Sequence, residues 1–469
     1  MPHRSSLCWM ASLVRDREVS PVELVDLHLR QIEKVNPQIN ALVAVFAYQA
    51  RRHAQLAELQ VRRGEPLGLL HGVPLTIKDS FDMAGEPTLC GSRFRLGHRA
   101  AEDAAAVARL RAAGAVLLAK TNCPEMLFNY ETDNHLTGRT NNPWDVERTA
   151  GGSSGGEGAA IATFCSAGGI GSDGGGSIRV PAHCCGIAGL KPTPGRISAA
   201  GHYPVCGHPS GLLGVAGPLA RSAQDLRLLF AALAGYDSQD PFSAPVPLRT
   251  PELSGLRCGL LEQFYDVPVQ PAVRAAVRRA ATMLEHIGIP VEPLRPAGLE
   301  RAPNLWWFFF GRLPAPGLHA MIAGREPDAH WTLTEFLTKA LSEAPPTPDK
   351  LLANLAARDR MRASLLRQME QFQVLLLPVC GVPAWRHRER RWPTPEKTIG
   401  QFEAMMPVTL FNLLGLPALA IPFGQSEEGL PIAVQLAGRP YEEELLLEVA
   451  VRLELARGPF PAPPLASAA

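Results

Sequence analysis

The sequence predicts an α/β fold: a single large domain whose mixed, mainly parallel β-sheet is covered on both faces by helices. Three observations predict it. Capped helix patterns alternate with short apolar runs of strand length, as in parallel sheets covered by crossover helices. Those runs are nearly continuous, as expected of buried strands. Finally, neither an internal repeat nor a clean linker divides the 469 residues, although the length is about three times a common domain of ~150 residues.

In chain order, Ser20-Pro21-Val22-Glu23 supplies an N-cap hydroxyl, a proline at the first helical position and a carboxylate at the third. This capping box opens a helix expected to end near Asn36-Pro37. An arginine-rich helix follows over about 48–63. Residues 72–79 read as a buried strand with a charged end, which places Lys78 at a strand terminus. Glu102 and Asp103 put negative charge in the first turn of a helix ending at Gly114, and 115–119 is the next strand. Residues 222–225 form another capping box before a helix that stops at Gly235. Strand, helix and strand then follow at 256–261, 271–286 and 289–291. Residues 299–350 are less regular and rich in proline and aromatics, with Trp306, Trp307, Phe308, Phe309 and Phe310 in one run. Buried strands are expected again at 374–377, 418–422 and 432–436. The chain thus divides into an N-terminal helical part (about 1–65), a core (about 66–240) and a variable, substrate-facing excursion (about 299–350) within one domain spanning 1–469.

Composition excludes several classes of function. With 46 Lys plus Arg against 45 Asp plus Glu, the net charge is +1, so no global field attracts nucleic acid or an anionic membrane. Hydrophobic residues at 46% and charged ones at 19% argue against a disordered chain. No apolar run approaches the ~18 residues of a membrane span, and the short stretch at 7–14 leads into Arg15-Asp16-Arg17 rather than a cleavage site. Nine scattered cysteines without C-x-x-C spacing point to a reducing, cytoplasmic setting.

Between Gly151 and Gly176, eleven of 26 residues are glycine, flanking a helix-compatible stretch at 157–166. Two glycine clusters around a short helix look like a built site, since glycine permits positive φ and close backbone approach to a ligand. Gly169-x-Gly171-x-x-Gly174 matches a dinucleotide fingerprint, but no acidic residue follows from Gly174 to Gln224 to hold a ribose. Gly151-x-Ser153-x-Gly155 matches a nucleophile elbow, yet 139–149 reads as loop where that motif needs a strand. His183, Cys184 and Cys185 are adjacent rather than at metal-ligand spacing, and no metal site is expected. What remains is Asp173-Gly174-Gly175-Gly176-Ser177-Ile178-Arg179, a run of backbone N–H groups ending in a hydroxyl. This is an oxyanion hole beside a serine nucleophile in outline. Such a serine needs a base, and Lys78 is the candidate if burial keeps it neutral; the other reading of Lys78, which composition alone favours, is a surface lysine paired with Asp79.

These residues resemble the amidase signature family, serine hydrolases that include fatty acid amide hydrolases, bacterial amidases and one of the subunits of glutamyl-tRNA amidotransferase. The matching segments are 71–79, 151–157, 171–181, 185–193, 215–221 and 412–417, in order from about residue 20 onward. The resemblance implies a Ser-cisSer-Lys triad in which Ser177 attacks the amide carbonyl, Ser153 in a cis peptide relays the proton and neutral Lys78 is the base. It also implies that the N–H groups of Gly174, Gly175, Gly176 and Ser177 hold the oxyanion, supported by Ser154, Asp173 and Arg179. Gly174 departs from the pattern, since many relatives carry a bulkier residue there. The implied activity is hydrolysis of a small-molecule amide to acid and amine or ammonia, without a cofactor. The alternative is a glutamine-hydrolysing component of an amidotransferase complex. Nucleic acid is not an expected partner, and the resemblance is compatible with a homodimer. The aromatic run at 306–310 fits a hydrophobic acyl or aryl group better than a small polar one, and fits packing of a peripheral helical layer equally well.

Overall fold

Short apolar runs become the strands of one continuous sheet in the computed structural model, which describes residues 2–206 and 213–467. The strands are β1 (Leu42–Val45), β2 (Pro74–Lys78), β3 (Val116–Thr121), β4 (Gly168–Asp173), β5 (Ala188–Lys191), β6 (Val215–Ala220), β7 (Cys258–Leu260) and β8 (Val291–Pro293). They continue with β9 (Val374–Pro378), β10 (Arg391–Pro393), β11 (Thr398–Gly400), β12 (Ala418–Gln425) and β13 (Pro431–Ala437). Eleven strands join in the order β1-β3-β2-β4-β6-β5-β12-β13-β9-β7-β8, while β10 and β11 pair separately. The sheet is mixed. Parallel ladders link β3-β2-β4 and β9-β7-β8, and antiparallel ones run across the centre through β6, β5, β12 and β13. The centre is more antiparallel than helix–strand alternation alone suggests, because the β12–β13 connection is a short hairpin rather than a crossover helix.

Helices cover both faces, as expected. On one side the helices Ala105–Ala112, Ala223–Leu233, Pro271–His286 and Glu443–Arg457 bury Val107, Leu229, Val277 and Leu446 against β2, β12 and β13. On the other, the helices Gly155–Ala162 and Arg179–Cys185 pack with the buried stripe Val25, Leu29 and Ile32 of the helix Pro21–Ile39. That first helix does not stop near Asn36-Pro37. It runs on to Ile39 and ends on Asn40 in the left-handed conformation (φ 48°). Pro37 lies in the last turn, where a missing N–H removes only one ladder bond. The Ser20 hydroxyl accepts from the Val22 N–H rather than from Glu23.

Four strands of the large sheet left no pattern in the sequence: β1, β4, β5 and β6. β4 is the instructive one, because its glycines carry no side chains to alternate. They are required by close approach: any side chain at Gly169 would run into the Glu157 carboxyl, and one at Gly171 would meet the Ser154 hydroxyl. The helix Gly155–Ala162 can therefore sit directly on the strand. Residues 302–340 of the excursion form the helices Ala302–Trp307, Ala315–Ile322 and Trp331–Ala340, with a π-turn at Phe308–Arg312.

This topology positions the site. The chain leaves β2 for β3 on one side and then returns to β4 on the other, so the order reverses between adjacent parallel strands. Such a switch point opens a crevice at the carboxyl ends of the strands. Lys78 ends β2, and Ser172-Asp173 ends β4.

Candidate active site

Lys78 is fully buried, and its Nζ donates to Ser153 Oγ at 2.7 Å and to Ser172 Oγ at 3.0 Å. Among the described residues no carboxylate lies within ion-pairing distance of it. Burial drives its pKa down from the ordinary lysine range to about 8. Ser153 sits at the mouth of the helix Gly155–Ala162, after a cis Gly152–Ser153 peptide bond. That helix is tied to the sheet from below by Glu157, whose carboxyl accepts from the Thr76 hydroxyl on β2 and from Thr121 Oγ1 on β3 at 2.8 Å. Burial raises the Glu157 pKa to about 7.

Ser177 lies just before the helix Arg179–Cys185, at the end of the glycine loop. Its backbone carbonyl accepts from the Ser154 N–H at 3.1 Å, which locks the two glycine segments together. Ser177 and Ser153 line the same small cavity of about 80 Å³. In this arrangement no hydrogen bond joins their side chains among the described residues. The structure thus brings Lys78 and Ser153 into direct contact and holds Ser177 across a shared void.

The loop turns on Asp173, whose carboxylate accepts from the backbone N–H groups of Gly176 (2.7 Å) and Ile178 (3.1 Å) and from Arg179 Nε (3.0 Å). Gly176 takes a positive φ of 114°, which favours glycine there. Arg179 reaches on to Gln435 Oε1 and Asn412 Oδ1, each at 2.6 Å. Burial pushes the Asp173 carboxyl upward, but the Arg179 charge and its hydrogen bonds, with that of Asn412, override this and hold it well below the aspartate range. Asp173 therefore contributes stability above about pH 4 that is lost as the pH falls below it. Replacing Arg179 by Met should strand a buried carboxylate and destabilise the fold by about 3–5 kcal/mol, read as a fall in the urea midpoint at pH 7.

One expected oxyanion donor is corrected by this geometry. The Gly176 N–H is already engaged by Asp173, so it is not free for an oxyanion. The N–H groups of Gly174, Gly175 and Ser177 have no protein acceptor among the described residues. At Gly174, the space that a bulkier residue would fill is taken by Phe310, whose ring edge lies 3.0 Å from the position of a Cβ.

A larger cavity of about 360 Å³ opens from Gly175 and Ser177. Its walls are aromatic, with Phe128, Trp306, Trp307, Phe310, Phe336 and Phe402. Trp306 and Phe310 stack at 4.8 Å with an interplanar angle of 15°. Its outer rim is charged: Arg390 pairs with Glu335 (2.9 Å) and Glu131, and Lys339 sits 4.9 Å over both the Trp307 and Phe402 rings. Sequence reasoning missed Ser172 as a partner of Lys78, and Tyr130, which donates to the Gly175 carbonyl at 2.6 Å. It also missed His202 and Cys206 in the wall of the small cavity. Ser172 lies within the matching segment 171–181 but carries no mark there that sets it apart, and no spacing signal links Tyr130, His202 or Cys206 to the motif segments.

Comparison with known proteins places these features in context. Residues 23–447 match the Amidase family. An indoleacetamide hydrolase from Bradyrhizobium diazoefficiens is 35% identical over 451 residues, covering 95% of this chain and 85% of that protein. A glutamyl-tRNA(Gln) amidotransferase subunit from Cyanothece sp. is 32% identical over 469 residues, covering 94% of this chain and 95% of that protein. Among solved structures, 6-aminohexanoate cyclic dimer hydrolase complexed with substrate is similar with a TM-score of 0.86 and 32% identity, covering 99% of both chains.

Proposed function

The chain belongs to the Amidase family, and from that premise we propose that it hydrolyses carboxylic amides carrying a planar, apolar acyl group, through an acyl-enzyme on Ser177. The observation that carries this reading is Lys78: a wholly buried amine, without a carboxylate partner among the described residues, bonded to the Ser153 hydroxyl.

In the proposed reaction, Ser177 Oγ attacks the amide carbonyl while its proton passes to Ser153 Oγ and the Ser153 proton passes to neutral Lys78. The relay closes when substrate is seated, as catalytic hydrogen bonds are often loose in the free enzyme. The new C–O bond moves the carbonyl electrons onto oxygen, where the N–H groups of Gly174, Gly175 and Ser177 receive the charge. On collapse the C–N bond breaks, and the proton returns through Ser153 to the departing nitrogen. Water then attacks the ester by the same route, releasing the acid and restoring Ser177.

The aromatic cavity supports an aryl or arylalkyl acyl group, and the relative named indoleacetamide hydrolase agrees with it in kind. It supports the amidotransferase reading less. Glutamine needs polar clamps, whereas Arg390 at the rim is already held by Glu131 and Glu335. The test is release of ammonia from a panel of primary amides by the purified chain. Indole- and phenyl-acetamides should exceed acetamide and glutamine in kcat/KM by roughly tenfold or more. Preference for glutamine, or no release from any of them, would contradict the proposal.

A further inference from the structure

We infer that Trp306 is a positioning residue for the oxyanion hole, acting from within the acyl cavity; the inference rests on the amidase reading of Ser177. Trp306 Nε1 donates to the Gly174 carbonyl at 3.0 Å. In a planar trans peptide the carbonyl of one residue and the N–H of the next point in opposite directions. Holding the Gly174 carbonyl against the indole therefore turns the Gly175 N–H away from the indole, and that N–H has no protein acceptor among the described residues. A second clamp acts one peptide further on. Tyr130 holds the Gly175 carbonyl at 2.6 Å, which turns the Gly176 N–H the other way, and it is found on Asp173. The two clamps thus assign different tasks to successive peptides: one frees a donor for the oxyanion, the other fastens the loop to its buried carboxylate.

The approach of Trp306 is close enough that a side chain at Gly175 would collide with the indole ring. Phe310, stacked on Trp306, occupies the space beside Gly174. The excursion therefore supplies the stiffness that a bulkier residue at 174 would otherwise give the loop. Because Trp306 also forms the cavity wall beside Ser177, recognition of the acyl group and orientation of the oxyanion donors depend on one side chain.

A residue that only shapes the cavity would alter ground-state binding, whereas one that aims an oxyanion donor alters kcat. The experiment compares Trp306→Phe, which keeps an aromatic ring but loses the N–H, with the unsubstituted enzyme on indole-3-acetamide. In parallel, the dissociation constant of that amide is measured by calorimetry in Ser177→Ala and in Ser177→Ala/Trp306→Phe. The expected result is a kcat about tenfold lower, with the dissociation constant changed by less than about twofold. Incorporating 3-benzothienylalanine at position 306 replaces the N–H by sulfur at nearly constant shape, and should lower kcat equally without trimming the ring. Tyr130→Phe removes the other clamp and should lower kcat less. An unchanged kcat, a dissociation constant loosened as much as kcat/KM falls, or an equal loss from Tyr130→Phe would overturn the inference. Turnover that survives Ser177→Ala would instead overturn the amidase reading beneath it.

Discussion

Replacing Ser177 by Ala is expected to lower amide turnover by roughly 10⁴-fold or more while leaving the fold intact. The residue is almost wholly buried, at 7% exposure, and its side chain makes no hydrogen bond among the described residues, so its loss orphans no partner. The loop is held by other groups: Asp173 fastens Gly176 and Ile178, and Ser154 bonds to the main chain of residue 177 rather than to its hydroxyl. The urea midpoint of the variant should therefore stay close to that of the unsubstituted protein, and only the rate should collapse. If Ser153 were the nucleophile, as its Gly-x-Ser-x-Gly setting allows, Ser177→Ala would instead spare much of the activity.

Replacing Lys78 by Met should separate activity from stability. Without a base the rate is expected to fall by roughly 10³-fold or more, on the scale of other activated nucleophiles. Stability should move the other way at neutral pH. Burial lowers the Lys78 pKa to about 8, below that of the unfolded chain, so the unfolded state binds more protons between pH 8 and the ordinary lysine value. The unsubstituted protein therefore gains stability from this group as the pH rises through that window and lacks it below pH 8. Methionine removes that burden, so the variant should unfold at a higher urea concentration at pH 7, and the difference should shrink by pH 10. The same ionisation governs catalysis. Since only the neutral amine accepts a proton, kcat/KM should fall about tenfold per pH unit below pH 8. A flat profile between pH 8 and pH 5 would contradict lysine as the base.

Much of this was legible in the sequence, for identifiable reasons. Strand β2 announced itself because an apolar run ends in the charged pair Lys78-Asp79, and the strand stops at Lys78. Glycines 174 to 176 announced a loop of bare N–H groups because no other composition concentrates them. The rest depended on contacts between distant segments. Ser172 meets Lys78 across 94 residues of chain, and Trp306 meets Gly174 across 132, so neither leaves a local pattern. Strand β4 was hidden because its glycines, made necessary by Glu157 and Ser154 pressing on them, erase the side-chain period that reveals a strand. The engagement of Gly176 by Asp173 follows from the turn itself, which composition does not specify. The aromatic run at 306–310 was visible, but its two tasks were not: Trp306 and Phe310 both wall the cavity and brace the glycine loop.

The most direct measurement is the mass of the covalent intermediate. Mixing the enzyme with an arylacetyl amide or its activated ester, quenching in acid and recording the intact mass should show one added acyl group. Proteolytic mapping should place that group on Ser177, and Lys78→Met should prevent its accumulation. An acyl group on Ser153 or on a cysteine, or hydrolysis with no adduct at any residue under single-turnover conditions, would contradict the account.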